Sequence, residues 1–274
     1  MELEMVQEEH VRFGVEQNLG TILSSIKGSD ADLLIFPEMY LTGYNLGDDV
    51  FRYAIGMDDP VFERVRDACS ESGAHVIFGF PQRSGSIKGQ VYNSACLVGP
   101  EGVKGVYQKH HLVDFGPFEE YAYFTPGGST VLEEVKGIRV GIIICYDIFF
   151  PELSKYYALS GADLIVCISA SPSTTRRFFE SVMKARAIED TVFFAYSNLV
   201  GFDHGMDFWG GSALIDPRGS IMAKGPYFET SRVRAAIDER TILSARRSRP
   251  TLRDTRCDVL KRLMESNDHD IGPV

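Results

Sequence analysis

The chain has no CxxC pair and no cysteine–histidine cluster with the spacing of a zinc site. Its five cysteines, Cys69, Cys96, Cys145, Cys167 and Cys257, are odd in number and far apart. This argues against a disulfide framework and suits free thiols in a reducing compartment. No apolar run approaches the roughly 20 residues that span a bilayer. Excess positive charge is also missing. The net charge is −10, which argues against a grip on nucleic acid. The one basic cluster, Arg246, Arg247 and Arg249, is short. The opening residues Met1 to Glu4 lack the basic start and apolar stretch of a secretory signal. A cytoplasmic protein is expected, with neither membrane nor nucleic acid as partner. Internal repeats and low-complexity linkers are absent as well, so the 274 residues read as a single domain.

What is present begins with composition: 44% hydrophobic and 24% charged residues, enough for a large core. Short apolar, β-branched runs alternate with amphipathic stretches in both halves, which predicts one mixed-sheet α/β domain. Strands are expected over 32–36, 75–80, 137–144, 163–169 and 191–196, and a hairpin over 92–108 turning at Gly99-Pro100-Glu101-Gly102. Met1 to Val6 reads as an edge or half-exposed strand because of Glu2 and Glu4. Helices are expected over 18–26, 59–72, 151–160 and 175–189. Phe178, Phe179, Val182, Met183 and Ile188 form the apolar face of the last. Residues 110–129 form a long aromatic loop, of a length usually reserved for function. The tail after Asp238 reads as polar, and residues from about 240 to 274 are assigned to oligomer contacts.

Three polar residues each follow an apolar strand directly. Glu38 follows Leu33 to Pro37, Lys109 follows Val106 to Gln108, and Cys145 follows Val140 to Ile144. Ligands of parallel sheets bind at the carboxyl ends of strands, so convergence there would make a working set. Cys145 also sits where a strand breaks towards a helix, which Pro151 opens. Two readings of it stand: a nucleophile favoured by free turn amides, or an inert thiol buried in the sheet. In the first, Glu38 takes and returns the proton, Lys109 lowers the thiol's pKa and holds an oxyanion with the N–H of Tyr146, and Cys145 forms a thioester. Trp209 and Phe208 line the pocket or pack beside Gly210 and Gly211. Tyr40, Tyr44, Phe115, Phe118, Tyr121 and Tyr123 divide between core and pocket wall. His110, His111 and His204 with Asp203 and Asp207 fit no familiar metal spacing.

The stretches Phe36-Pro37-Glu38-Met39-Tyr40-Leu41-Thr42-Gly43-Tyr44, Tyr107-Gln108-Lys109-His110-His111-Leu112 and Gly141 to Glu152 around Cys145-Tyr146-Asp147 resemble the nitrilase superfamily of carbon–nitrogen hydrolases. Phe124-Thr125-Pro126-Gly127, Arg186 to Asp190, Asn198, Gly210 to Pro217 and Arg249 to Asp254 extend the resemblance over nearly the whole chain. It implies a four-layer α-β-β-α sandwich with two mixed sheets, assembled as a homodimer or larger, with no metal and no organic cofactor. It implies Glu38 as general base, Lys109 as oxyanion stabiliser, Cys145 as nucleophile and a second glutamate, with Glu120 favoured and Glu119 the alternative. Tyr-Asp after the cysteine resembles the amidase branches, so a small carboxamide is the expected substrate; a nitrile, or a carbamoyl or ω-amide compound, is the alternative. The last of these branches place an arginine just after the cysteine, where this chain has Phe149 and Phe150. That suggests an apolar pocket. Arg176 and Arg177 could replace that arginine or be ordinary exposed residues at a helix start.

Overall fold

The structure is a computed structural model and describes residues 1–266. From the amino end the elements are β1 (Glu2–Gln7), α1 (Val15–Gly28), β2 (Leu33–Ile35), a short α2 (Val50–Tyr53) and α3 (Pro60–Ser72). Next come β3 (His75–Arg83), β4 (Val91–Gly99), β5 (Gly102–Gln108), a single turn α4 (Glu120–Tyr123), β6 (Leu132–Val135) and β7 (Ile138–Ile144). A 3-10 turn over Cys145–Phe149 leads into α5 (Pro151–Leu159), β8 (Leu164–Ser169), α6 (Arg176–Asp190) and β9 (Phe193–Asn198). The chain continues through β10 (Val200–Asp203), β11 (Met206–Trp209), β12 (Ala213–Ile215), β13 (Ile221–Lys224), β14 (Ser231–Ala236), α7 (Glu239–Ser248) and α8 (Cys257–Ser266).

Among the described residues these strands make two six-stranded sheets, ordered β14-β1-β2-β3-β4-β5 and β13-β12-β9-β8-β7-β6. Each sheet has a parallel centre: β1, β2 and β3 in one, β7, β8 and β9 in the other. The pleat alternates side chains between faces, and the first sheet follows that period strictly. Leu3, Met5, Leu33, Ile35, Ile77, Ala95 and Leu97 point to the second sheet and share one core with Ile142, Ile144, Val166, Ile168 and Ala195. Val6, Leu34, Phe36, Val76, Phe78, Cys96 and Val98 face the other way, onto Leu19, Ile22, Ile26, Phe62 and Val65 of α1 and α3. Helices α5 and α6 cover the outside of the second sheet through Tyr157, Ala158, Phe179, Met183 and Ala187. The result is the expected α-β-β-α sandwich.

Several local expectations change. β1 is interior rather than an edge, flanked by β14 and β2. Its Glu4 is buried because Arg234 on β14 and Ser29 supply partners at 2.7 and 2.9 Å. The segment after Asp238 is helical. Asp238 caps α7 by accepting from Arg240 N, and Ile242 and Ala245 bury against the same chain. Arg246 and Arg249, the basic cluster, donate to the carbonyls of Ala162 and Ile188. That part of the tail therefore packs on its own domain, and residues 267–274 lie outside the described set. The hairpin of β10 and β11 was not expected at all. Phe178 leaves the apolar face of α6 and is exposed, while Arg186 and Asp190 are buried on it.

Candidate active site

Glu38 lies three residues past β2. The next residue, Met39, takes a left-handed φ of 52°. The chain can turn there because Gly79 on β3 presses against it: a Cβ on Gly79 would lie 2.2 Å from Met39 N. Glu38 is fully buried, and both its oxygens are bonded. Oε1 accepts from Asn93 Nδ2 at 2.7 Å and Lys109 Nζ at 2.9 Å, and Oε2 accepts from Ala170 N at 2.8 Å.

Lys109 follows β5. Its N–H donates to Asn93 O and its C=O accepts from Gly127 N, so its backbone is held on both sides. Gly127 is needed for that approach, since a Cβ there would lie 2.2 Å from Gln108 O. The ammonium donates to Glu38 and, at 2.8 Å, to Glu120 Oε1. An ammonium has three N–H bonds, so one remains for an oxyanion beyond these two. Glu120 is the buried member of its pair and Glu119 is exposed. Glu120 Oε1 also accepts from Tyr44 OH at 2.7 Å, and Oε2 accepts from Val113 N at 2.9 Å.

Cys145 is the first residue of the 3-10 turn after β7 and has a left-handed φ of 48°. Such a φ is strained for a side-chain-bearing residue and persists only where neighbours enforce it. Asp147 does the enforcing. It is fully buried and accepts from Ile144 N at 3.1 Å and Tyr107 OH at 2.8 Å. His111 reaches it through its backbone N–H at 2.9 Å, and its Nδ1 lies 2.8 Å from the same oxygen. One carboxylate thus ties the turn bearing Cys145 to the loop that follows Lys109. Asn93, Asp147, Tyr107 and His111 were not singled out as supports for the site by the sequence. Asp147 left one signal, a short acidic acceptor three residues past a strand end.

The electrostatics follow from three charged groups out of water. Burial and the neighbouring Glu120 raise the Glu38 carboxyl above its ordinary value, against the pull of Lys109. Burial works to lower Lys109, but Glu120 and Glu38 outweigh it and hold the ammonium well above the usual lysine range. Burial, then the Glu38 charge, push the Cys145 thiol up; Lys109 and the Ser169 hydroxyl oppose this and lose. Lys109 does pull the thiol down, but burial and the Glu38 charge outweigh it. At rest the sulfur holds its proton, and attack requires a base beside it.

Cys145 opens on a cavity of about 350 Å³ walled by Phe115, Phe118, Tyr146, Phe149, Phe178 and Phe179. A larger cavity, about 420 Å³, lies on the far side of Phe118, where it meets Tyr44 and Glu120 but not the sulfur. Tyr146 and Phe149 line the sulfur's cavity as expected of pocket residues. Tyr44 instead bonds Glu120. Arg176 lies outside the cavity wall, its guanidinium 4.5 Å from the centre of the Tyr227 ring. Trp209 is fully buried behind the site, donating to Ser171 Oγ at 3.2 Å and stacked on Tyr196. Arg176 and Trp209 are thus not brought to the sulfur, because each finds an aromatic partner elsewhere. The histidines are dispersed: His110 stacks on Tyr107, His111 on Phe150, and His204 lies 3.4 Å from Arg12.

Comparison with known proteins decides the family. The carbon–nitrogen hydrolase family model matches residues 4–247. The chain belongs to the carbon–nitrogen hydrolase family. This carbon–nitrogen hydrolase is 32% identical over 259 residues to an (R)-stereoselective amidase of a Pseudomonas species, covering 93% of this chain and 92% of that one. It is 31% identical to a nitrilase of Pyrococcus abyssi over 214 residues, 76% of this chain and 77% of that one. Its fold matches an amidase from Nesterenkonia with a TM-score of 0.82 at 24% identity, over 96% of this chain and 97% of the other. The protein is an enzyme, a hydrolase of carbon–nitrogen bonds.

Proposed function

We propose that this hydrolase is an amidase that converts a small carboxamide to its acid and ammonia through a thioester on Cys145. The observation that carries the reading is the buried, hydrogen-bonded set Glu38–Lys109–Glu120 in the electrostatic field of a thiol held in a strained turn. Glu38 takes the thiol proton as sulfur attacks the carbonyl carbon. The oxyanion that forms is held by the third N–H of Lys109 and the N–H of Tyr146. Glu38 then gives its proton to the nitrogen, the C–N bond breaks and ammonia leaves. Water, deprotonated by Glu38, attacks the thioester, and the proton returns to sulfur as the acid departs. Glu120 holds Lys109 in place and charged, and Tyr44 and Val113 hold Glu120. No step calls for a metal or organic cofactor.

The test is ammonia release from a panel of amides and nitriles, with mass spectrometry of the intact enzyme for an acyl adduct on Cys145. The amidase reading expects an adduct and ammonia from amides, with nitriles untouched. Acid and ammonia from R–CN at comparable rates would make the enzyme a nitrilase instead. The reading extends to context. The cysteines of the described chain are free, and no described helix is long and apolar enough to cross a membrane, which supports a cytoplasmic location. Exposed Tyr156 and Leu159 on α5, with Val259 and Met264 on α8, support assembly into a homodimer or larger.

A further inference from the structure

The two sides of Cys145 differ in room and in chemistry, and together they specify which amide fits. On the side of Glu38 the sulfur's cavity does not extend: neither Glu38 nor Lys109 lines it. Glu38 is fully buried and its oxygens are engaged by Asn93, Lys109 and Ala170. A nitrogen protonated by Glu38 must come within hydrogen-bond reach of it, so only a small leaving group fits there. The bulky part of the substrate must therefore lie in the cavity on the open side of the sulfur. That cavity, about 350 Å³, is at the small end of ligand pockets, which suits a group of about one ring.

Its wall carries no charged side chain among the described residues. Its two aliphatic hydroxyls are already partnered: Ser171 Oγ and Thr175 Oγ1 lie 2.7 Å apart, and Thr175 also donates to Pro172 O. Two arginines lie near. Arg176 is stacked on Tyr227, and Arg177 is exposed on the solvent side of Phe178, 5.3 Å from its ring centre. Neither lines the cavity. A carboxylate in this space would lose water and gain no cation. An apolar group would meet mainly aromatic faces and edges.

We infer that the substrates are primary carboxamides whose acyl group is uncharged, apolar and about the size of one aromatic ring or a short branched chain. This rests on the amidase reading and narrows it. The experiment compares kcat/KM for 5-methylhexanamide and glutaramate, which differ only in an isopropyl group against a carboxylate, and for the N-methyl derivative of the former. The neutral primary amide should lead glutaramate by about 100-fold or more. It should lead its N-methyl derivative by a similar factor. In F178R a guanidinium at the exposed mouth should move the neutral-to-acidic ratio about tenfold towards glutaramate. Glutaramate turned over as fast as its neutral partner would overturn the apolar assignment while leaving the amidase intact. An equal rate for the N-methyl amide would overturn the restriction to primary amides. An unchanged ratio in F178R would remove the acyl group from this cavity. Failure of every amide to release ammonia would sink the amidase reading and this inference with it.

Discussion

Inward of Cys145 stand Glu38, Lys109 and Glu120, buried and bonded to one another and to backbone from both sheets. Outward stand rings, of which Phe115 and Phe178 are more than half exposed. The inner wall is fixed at each oxygen by a named donor, and a fixed field is what a developing oxyanion and a moving proton require. The outer wall comes from a loop and a helix start and is held by contacts between rings, such as Phe149 on Phe179 with centroids 5.0 Å apart. A substitution inward should therefore damage chemistry and fold together. A substitution outward should change which molecule is accepted and leave the fold alone.

The largest loss of activity is expected at the boundary between the two walls, where removing the sulfur should strike chemistry and spare the fold. Cys145→Ala should cut ammonia release by about 10⁵-fold or more and abolish any acyl adduct, with the thermal transition unmoved. Next in size is Lys109→Met, which leaves two carboxylates facing each other in the core. Besides losing turnover, it should cost about 3–5 kcal/mol in denaturant unfolding, as breaking a buried pair does. Asp147→Ala leaves Ile144 N–H and Tyr107 OH unpaired. A loss of about 2–3 kcal/mol is expected, with kcat down about 100-fold as the strained turn relaxes. Unchanged kcat in that variant would mean Cys145 holds its geometry without help.

The pH dependence separates the walls more finely. Glu38 acts as a base only when ionised, and its value is raised by burial and by Glu120. Activity should therefore fall, as pH drops, at a point above the ordinary 4.5 of a glutamate. Removing the Glu120 charge with Glu120→Gln should move that acid limb down in a kcat/KM profile. An upward movement would show that loosening of Lys109 dominates. Linkage gives the sign for stability: a folded-state value above the unfolded one means the native state binds more protons. The Glu38 contribution is thus full below its unfolded value and lost as pH rises through its folded one. Lys109 behaves alike at higher pH, keeping its contribution through neutrality. The smallest effect is expected outward: Phe178→Ala should alter stability by less than about 0.5 kcal/mol, and should raise KM several-fold for apolar amides only.

Much of this was legible in the chain because strands announce themselves locally. The apolar runs ending at Pro37, Gln108 and Ile144 mark three strand ends, and the polar residue after each is Glu38, Lys109 or Cys145. The readings that failed depended on partners far away in sequence. Glu4 looked like an edge residue until Arg234 on β14, 230 positions later, was seen to neutralise it. Arg176 and Trp209 had the right chemistry for a pocket but are claimed by Tyr227 and by Tyr196 with Ser171. The segment after Asp238 is polar as read, with only Ile242 and Ala245 of the ten α7 residues buried, and its helix was not foreseen. Asp147 was visible as part of a motif, yet its four bonds reach back to Ile144, Tyr107 and His111.

By itself, then, the sequence determined the residue types at the strand ends, the alternation that puts them on two sheets, and the absence of a cation just after the nucleophile. Short-range rules govern these features, since backbone propensity and side-chain period act over a few residues. Tertiary structure put Glu120, already favoured over Glu119 by the resemblance, on the lysine; it alone decided that burial pushes the thiol up and that the cavity beside it is neutral. Those are sums over burial and over charges brought close by folding, and no stretch of chain contains them.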